Sequence, residues 1–219
     1  MKAISFSQRT RSGFTLVELI TVISVIVVLF ALVAGAYSYA DFASKRNRTE
    51  VTLRVIRSAL ENYREKFGSY PTPSNPEESV VIADLVYISG EASCLYQALS
   101  GDGYNKISGA DGQGSPESNG QVEDNEAANV TLTDMPREIW TVNNSTYFVI
   151  DGFGHPFRYI KALPTVSLTG GQPPEPVTIN NTYDLWSYGN DNENLTATSL
   201  MTRDSATLSQ ASSKWIKNW

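Results

Sequence analysis

From residue 14 to residue 40 the chain is apolar almost without interruption, and Glu18 is its only ionisable carboxylate or amine side chain. Those 27 residues would make a helix roughly 40 Å long, against a bilayer hydrocarbon core of about 30 Å. The run exceeds the roughly 7–15-residue apolar core of an ordinary secretory signal. A carboxylate inside such a run is costly in lipid and calls for a partner. Beyond residue 40 the helical pattern continues but becomes two-faced. Leu53, Ile56, Leu60, Tyr63 and Phe67 fall on one stripe, while Lys45, Arg46, Arg48, Glu50, Arg54, Arg57, Glu61, Arg64, Glu65 and Lys66 lie around the rest. Glu50 and Arg54 stand four apart in the favourable order. No proline interrupts residues 14–67; Gly68 and then Pro71 supply the stop. The pattern predicts one helix of roughly 53 residues, about 80 Å long. Its first half is apolar all round, and its second half carries a face for a globular domain. Gly35 is its one interior glycine before the stop, a point of bending or close helix contact.

The remaining pattern is shorter in period. Residues 80–88 are apolar apart from Asp84 and read as a strand or short helix. Residues 92–99, with Cys94, Leu95, Ala98 and Leu99, have helical spacing. From 100 to 129 the chain is rich in Gly, Asp, Asn and Ser. It holds the acids Asp102, Asp111, Glu117, Glu123, Asp124 and Glu126, with Lys106 and Tyr104 as its only base and aromatic. Such a segment buries too little apolar surface to fold alone, so a long surface loop or partly disordered insertion is expected. Residues 138–142 and 146–150 are rich in strand formers around an Asn143-Asn144 turn signal. A Gly/Pro/Asp turn at 151–156 leads into a strand starting near Phe157. Residues 164–176 form a Gly/Pro-rich connector.

Charge narrows the class. Residues 1–13 hold Lys2, Arg9 and Arg11 and no acid, so residues 14–219 carry 14 basic and 23 acidic side chains, a net charge of −9. A domain that acidic has no nucleic-acid footprint. Basic flanks stay cytoplasmic, which puts the C-terminal domain on the outer side of the membrane. Cys94 is the single cysteine, so an intrachain disulfide is impossible and a buried free thiol is expected. An EF-hand beginning at Asp102 fails, because positions 3 and 5 are Tyr104 and Lys106; Asp111-Gly112 is a second Asp-Gly pair in the same stretch. His155, the sole histidine, has no second histidine or cysteine cluster near it to suggest zinc or catalysis. There is no Gly-x-Ser-x-Gly and no Cys/His pair.

Gly13-Phe14-Thr15-Leu16-Val17-Glu18 resembles the processing site and helix start of type IV pilins and type II secretion pseudopilins. The resemblance implies cleavage between Gly13 and Phe14 by a membrane prepilin peptidase and N-methylation of Phe14. It implies that Glu18 pairs with the N-terminal amine of a neighbouring subunit during assembly. Leu60-Glu61-Asn62-Tyr63 and Gly68-Ser69-Tyr70-Pro71-Thr72 resemble the helix end and turn of the major pseudopilin, with Tyr70 able to lie back on the helix. Asp151-Gly152-Phe153-Gly154-His155-Pro156-Phe157-Arg158-Tyr159 resembles the family's Asp-Pro-Trp-Gly-x-Pro-Tyr-x-Tyr, with Gly152 and Phe153 in place of Pro and Trp.

Tyr183-Asp184-Leu185-Trp186-Ser187-Tyr188-Gly189-Asn190-Asp191 resembles the segment before the family's structural Ca²⁺ loop, and Ile216-Lys217-Asn218-Trp219 its closing motif. The implied ligands are the Tyr188 backbone carbonyl and the Asp191 carboxylate. Three departures stand beside them. Asn192 replaces a Gly, Asn194-Leu195-Thr196-Ala197-Thr198 replaces a Gly- and Glu-rich stretch, and Lys214 and Trp215 occupy positions of acids. A second carboxylate would come from Glu193 or Asp204. The resemblance covers residues 12–72 and 147–219 and leaves 73–146 uncovered.

Together these readings predict an α+β, pilin-like fold: a long N-terminal helix over about 14–67 packed on a small antiparallel sheet, followed by a C-terminal loop region. The expected parts are a cleaved leader at 1–13, a transmembrane and fibre-core half-helix at 14–40, and a globular domain at 41–219 with a polar insertion near 100–129. The expected function is structural: a subunit of a type II secretion pseudopilus, held in the bacterial inner membrane with its leader cytoplasmic and its domain periplasmic. The implied partners are other copies of the chain, minor pilin-like subunits, the prepilin peptidase, the assembly platform and membrane lipid. The alternative is a type IV pilus pilin, or a minor subunit whose domain binds a surface or ligand through Tyr70, Tyr87, Trp140, Trp186, Trp215 and Trp219.

Overall fold

A computed structural model describes residues 13–110, 114–164 and 175–219. The leader up to residue 12, the Asp111-Gly112 pair and most of the 164–176 connector lie outside the described residues. The chain divides into two compact units, one ending at Ala43 and the other running from Ser44 to Trp219. The protein is α+β.

Helix α1 spans Leu16–Phe67, 52 residues. Its part in the first unit has every side chain exposed, from Leu16 through Tyr39, and is long and apolar enough to cross a membrane. In the second unit the helix becomes a core element. Leu53, Ile56, Ala59, Leu60 and Tyr63 are buried; burying side chains the size of Leu and Ile contributes about 1.5–3 kcal/mol each. Phe67, expected on the same stripe, is instead partly exposed and lies against Tyr63, with ring centroids 4.4 Å apart. It sits in the last turn, beyond the reach of the core. Gly68 ends the helix with φ of 80° and donates its N–H to Arg64 O. Tyr70 does fold back: its hydroxyl donates to Glu61 Oε1 at 2.8 Å and accepts from Arg64 Nη1 at 3.0 Å.

Residues 80–88 form a hairpin, β1 (Ser79–Ile82) with β2 (Leu85–Ile88), turned by Ala83 and Asp84 at positive φ. Helix α2 follows at Gly90–Ser100, and all of its residues are buried. A second hairpin pairs β3 (Trp140–Asn143) with β4 (Thr146–Val149). Its turn is Asn144-Ser145, both at positive φ, one residue later than the Asn143-Asn144 signal. The third sheet orders β5 (Arg158–Lys161), β6 (Tyr183–Ser187) and β7 (Ile216–Lys217), all antiparallel. The small sheet predicted from sequence is therefore three separate antiparallel sheets. The C-terminal loop region carries two short helices, α3 (Ser199–Asp204) and α4 (Ala206–Ala211), and ends in a strand.

Two apolar clusters fill the second unit. One joins α1 and α2 to Trp140, Val149, Phe157, Tyr159, Tyr183, Leu185 and Ile216. The other gathers Val80, Tyr87, Phe148, Trp186, Tyr188, Leu195 and Trp215. Of the six aromatics that could have formed a binding surface, Tyr70, Tyr87, Trp140, Trp186 and Trp215 are core residues and Trp219 packs against the core. Cys94 is buried and free, and burial pushes its thiol pKa well up.

The polar insertion departs from expectation. Beyond Ser100 its described residues hold no helix or regular strand, yet two of its acids are fully buried. Asp102 accepts from the Tyr96 hydroxyl at 2.7 Å and from the backbone N–H groups of Asn119 and Gly120. Glu126 accepts from the backbone N–H groups of Ser115 and Glu123. Gln97 of α2 receives Lys106 N–H and donates to Asn105 and Ser118. Hydrogen bonds to buried carboxylates order the segment where apolar burial cannot.

Candidate functional site

At the start of α1, Thr15-Leu16-Val17-Glu18 forms a reciprocal cap. The Glu18 carboxylate accepts from Thr15 N–H and from its hydroxyl, both at 2.8 Å, and Glu18 N–H donates to Thr15 Oγ1 at 3.3 Å. This is the capping-box arrangement, which satisfies otherwise orphaned donors at a helix N-terminus. Gly13 and Phe14 precede the helix in non-helical backbone, and Phe14 is 85% exposed. Apart from its chain neighbours and the nearby backbone of its own helix, Gly35 has no heavy atom within 4 Å of where a Cβ would stand.

The C-terminal motifs converge on one face of the third sheet. Asp151 is buried; its Oδ1 accepts from the N–H groups of Phe153 and His155, and its Oδ2 accepts from Ser187 Oγ at 2.5 Å. Burial raises its pKa, against the lowering effect of those hydrogen bonds. Ser187 Oγ in turn accepts from Gly189 N–H, and His155 Nδ1 lies 3.1 Å from Gly189 O. His155 is stacked on Tyr87, with ring centroids 4.8 Å apart. The 151–155 turn thus clamps the beginning of the loop that holds Asp191. On the other side, Gly152 N–H donates to Thr49 Oγ1 of α1 at 2.9 Å, a bond that a proline at that position could not make.

Beneath the loop lies a buried ion pair that the sequence pattern does not single out. Arg158 Nε and Nη2 donate to Glu91 at 2.6 and 3.1 Å, with both side chains about 95% covered. Glu91 also accepts from Tyr159 N–H, and Arg158 Nη1 donates to the Tyr188 hydroxyl at 2.7 Å. The Tyr188 hydroxyl donates to Ala197 O. Burial pushes the Tyr188 pKa up to about 12, so the phenol is a neutral donor at neutral pH.

Tyr188 O and Asp191, the two expected cation ligands, are neighbours, but their oxygens are engaged. Tyr188 O accepts Asp191 N–H at 3.1 Å. Asp191 Oδ1 accepts from the N–H groups of Glu193 and Asn194, and Oδ2 from Trp215 Nε1 at 2.9 Å. The Asn194 side-chain amide reaches both oxygens, at 3.1 and 2.9 Å. Burial raises the Asp191 pKa, and the hydrogen bonds from Trp215 and Asn194 outweigh it, so the net shift is downward. Glu193 is exposed and contributes its backbone N–H; Asp204 is exposed and pairs with Arg203. Among the described residues no three His, Cys, Asp or Glu side chains converge as ligands. Ca²⁺ takes about 6–8 oxygen ligands, and the donor set here does not fit it.

A cavity of about 250 Å³ opens between the end of α1 and residues 103–110, where Tyr63, Tyr70, Gln97, Tyr104 and Ile107 face it; among the described residues no carboxylate, amine, imidazole or thiol lines it. Compared with known protein families, curated proteins and solved structures, the chain returns no match.

Proposed function

We propose that the protein is a fibre-forming subunit of the type IV pilin and type II secretion pseudopilin kind, processed between Gly13 and Phe14. One observation carries the reading. A continuous apolar helix surface, exposed on every side from Leu16 through Tyr39, begins with a single carboxylate at Glu18. Such a surface needs lipid or other apolar helices around it. Lipid covers it in the stored subunit, and neighbouring copies cover it in the fibre. Glu18 has a local partner in Thr15, so the subunit enters the membrane with its carboxylate hydrogen-bonded. Cleavage creates a charged amine at Phe14, and pairing a neighbour's amine with Glu18 sets the register, because an unpaired charge in that core is strongly unfavourable.

The pseudopilin branch is favoured over a pilus pilin by the order of the C-terminal motifs. Tyr70 folds back on the helix end, the Asp151 turn clamps Ser187, and the closing Asn218 accepts Leu185 N–H through its side chain. Mass spectrometry of the protein from cells containing the peptidase is expected to find methylated Phe14 as the first residue; an intact 1–13 leader would refute processing. Glu18→Ala is expected to leave membrane insertion intact and to abolish fibres in an electron-microscopy assembly assay.

A further inference from the structure

We propose that the loop from Tyr188 to Ala197 is closed by the protein's own donors in place of a cation, with the Asn194 amide nitrogen in the position a divalent ion would take. The comparison with a cation loop rests on the same pseudopilin resemblance as the fibre reading; the hydrogen bonds that close the loop do not.

The Asn194 amide sits across Asp191 as a bidentate partner, 3.1 Å from one carboxylate oxygen and 2.9 Å from the other. Two backbone N–H groups and the Trp215 indole make three further contacts. A carboxylate offers about four lone-pair sites, so Asp191 is saturated by uncharged donors. Trp215 adds to this closure, because an indole N–H only donates. Its ring is fixed in place, stacked on Trp186 and edge-on to Tyr188 with centroids 6.2 and 4.9 Å away. An acid at that position would add a second carboxylate; Trp215 instead supplies a hydrogen to the first.

The rest of the loop is held by the protein's own groups as well. Leu195 and Ala197 are buried among Trp186, Tyr188 and Trp215. Ala197 O accepts the Tyr188 hydroxyl hydrogen, and that hydroxyl accepts from Arg158. The fold around β6 therefore keeps its stability whatever the ambient Ca²⁺ concentration. The same geometry makes Asn194 a single-residue switch. Asn194→Asp places a second carboxylate against Asp191 with the Tyr188 carbonyl nearby, a pair that repels until a divalent ion bridges it.

The test uses the full chain in detergent micelles, unfolded thermally with near-ultraviolet circular dichroism as readout, in EGTA, in excess CaCl2 and in excess MgCl2. The wild-type midpoint is expected to be the same in all three, and calorimetric titration with CaCl2 is expected to give no binding heat. Asn194→Asp is expected to melt several degrees below wild type in EGTA and to regain that loss in CaCl2 but not in MgCl2. A wild-type midpoint several degrees higher in CaCl2 than in EGTA overturns the proposal, as does a folded Asn194→Asp chain indifferent to Ca²⁺. Trp215→Phe covers the case in which Asn194→Asp does not fold. It removes the indole N–H, keeps the ring packing, and is expected to lower the midpoint equally in EGTA and CaCl2; an unchanged midpoint overturns the role given to that donor.

Discussion

Glu91 and Arg158 show what a single side chain decides here. Arg158 lies in a strand between Phe157 and Tyr159, and Glu91 in the first turn of α2. Alone, either charge would be too costly to bury; together they form a two-point pair that also holds the Tyr188 hydroxyl. Removing one partner leaves the other charge buried and unpaired, which destabilises by about 3–5 kcal/mol. Glu91→Ala is therefore expected to lose stability on that scale in urea unfolding, and replacing both residues by apolar ones is expected to recover much of it. The pair was not legible in the sequence, because its members are 67 residues apart and each looks like an ordinary surface charge. Glu18 stood out in the sequence because the surrounding run is apolar, but its bond to Thr15, three residues away, was not anticipated. Asp191 was half legible. Its place in a loop could be read locally, but its partner Trp215 is 24 residues on and is brought near by β7 pairing with β6.

At the scale of elements, periodicity served the helices best. The stripe from Leu53 to Tyr63 and the spacing of Cys94, Leu95, Ala98 and Leu99 both became buried helix faces. It served the insertion worst. Residues around 100–129 were expected to form a surface loop or partly disordered insertion for want of apolar surface, and their described part is irregular and mostly at the surface. Asp102 and Glu126 are buried, and backbone N–H groups that sequence patterns do not report are their partners. The two short helices after the Asp191 loop were also missed; six residues each, they are too short for a periodic signal. The turn at 151–155 makes the sharpest prediction at this scale. A Cβ on Gly152 would come within 2.2 Å of Lys45 O on α1. Gly152→Ala is expected to push the turn off the helix, weaken the Thr49 bond and lower the thermal midpoint by several degrees, while Gly154→Ala, with open space around it but φ of 88°, strains only its own turn.

At the scale of the molecule, the chain is two units with different surfaces. Up to Ala43 the described side chains face outward and form no core; all the buried residues among those described lie from Ser44 onward. A chain begun at Ser44 is therefore expected to keep the near-ultraviolet signal of its buried Trp and Tyr residues and to unfold within a few degrees of the full-length protein. Loss of that signal would show that the globular unit needs the apolar segment.

The sequence by itself determined what depends on near neighbours. It set the long helix and its change from uniformly apolar to two-faced, the stop at Gly68, the turn of the second hairpin to within a residue, the free buried thiol and the α+β class. Each follows from spacing, backbone preference or composition over a few residues. Only the tertiary structure decided which polar groups became interior partners. Three separate sheets instead of one, the ordering of the insertion around Asp102 and Glu126, the Glu91–Arg158 pair and the closing of Asp191 by Asn194 and Trp215 all join residues that chain folding, and not chain order, makes neighbours. A buried charge or hydrogen bond is worth having only when its partner arrives with the right geometry, and that geometry exists only after the strands have paired.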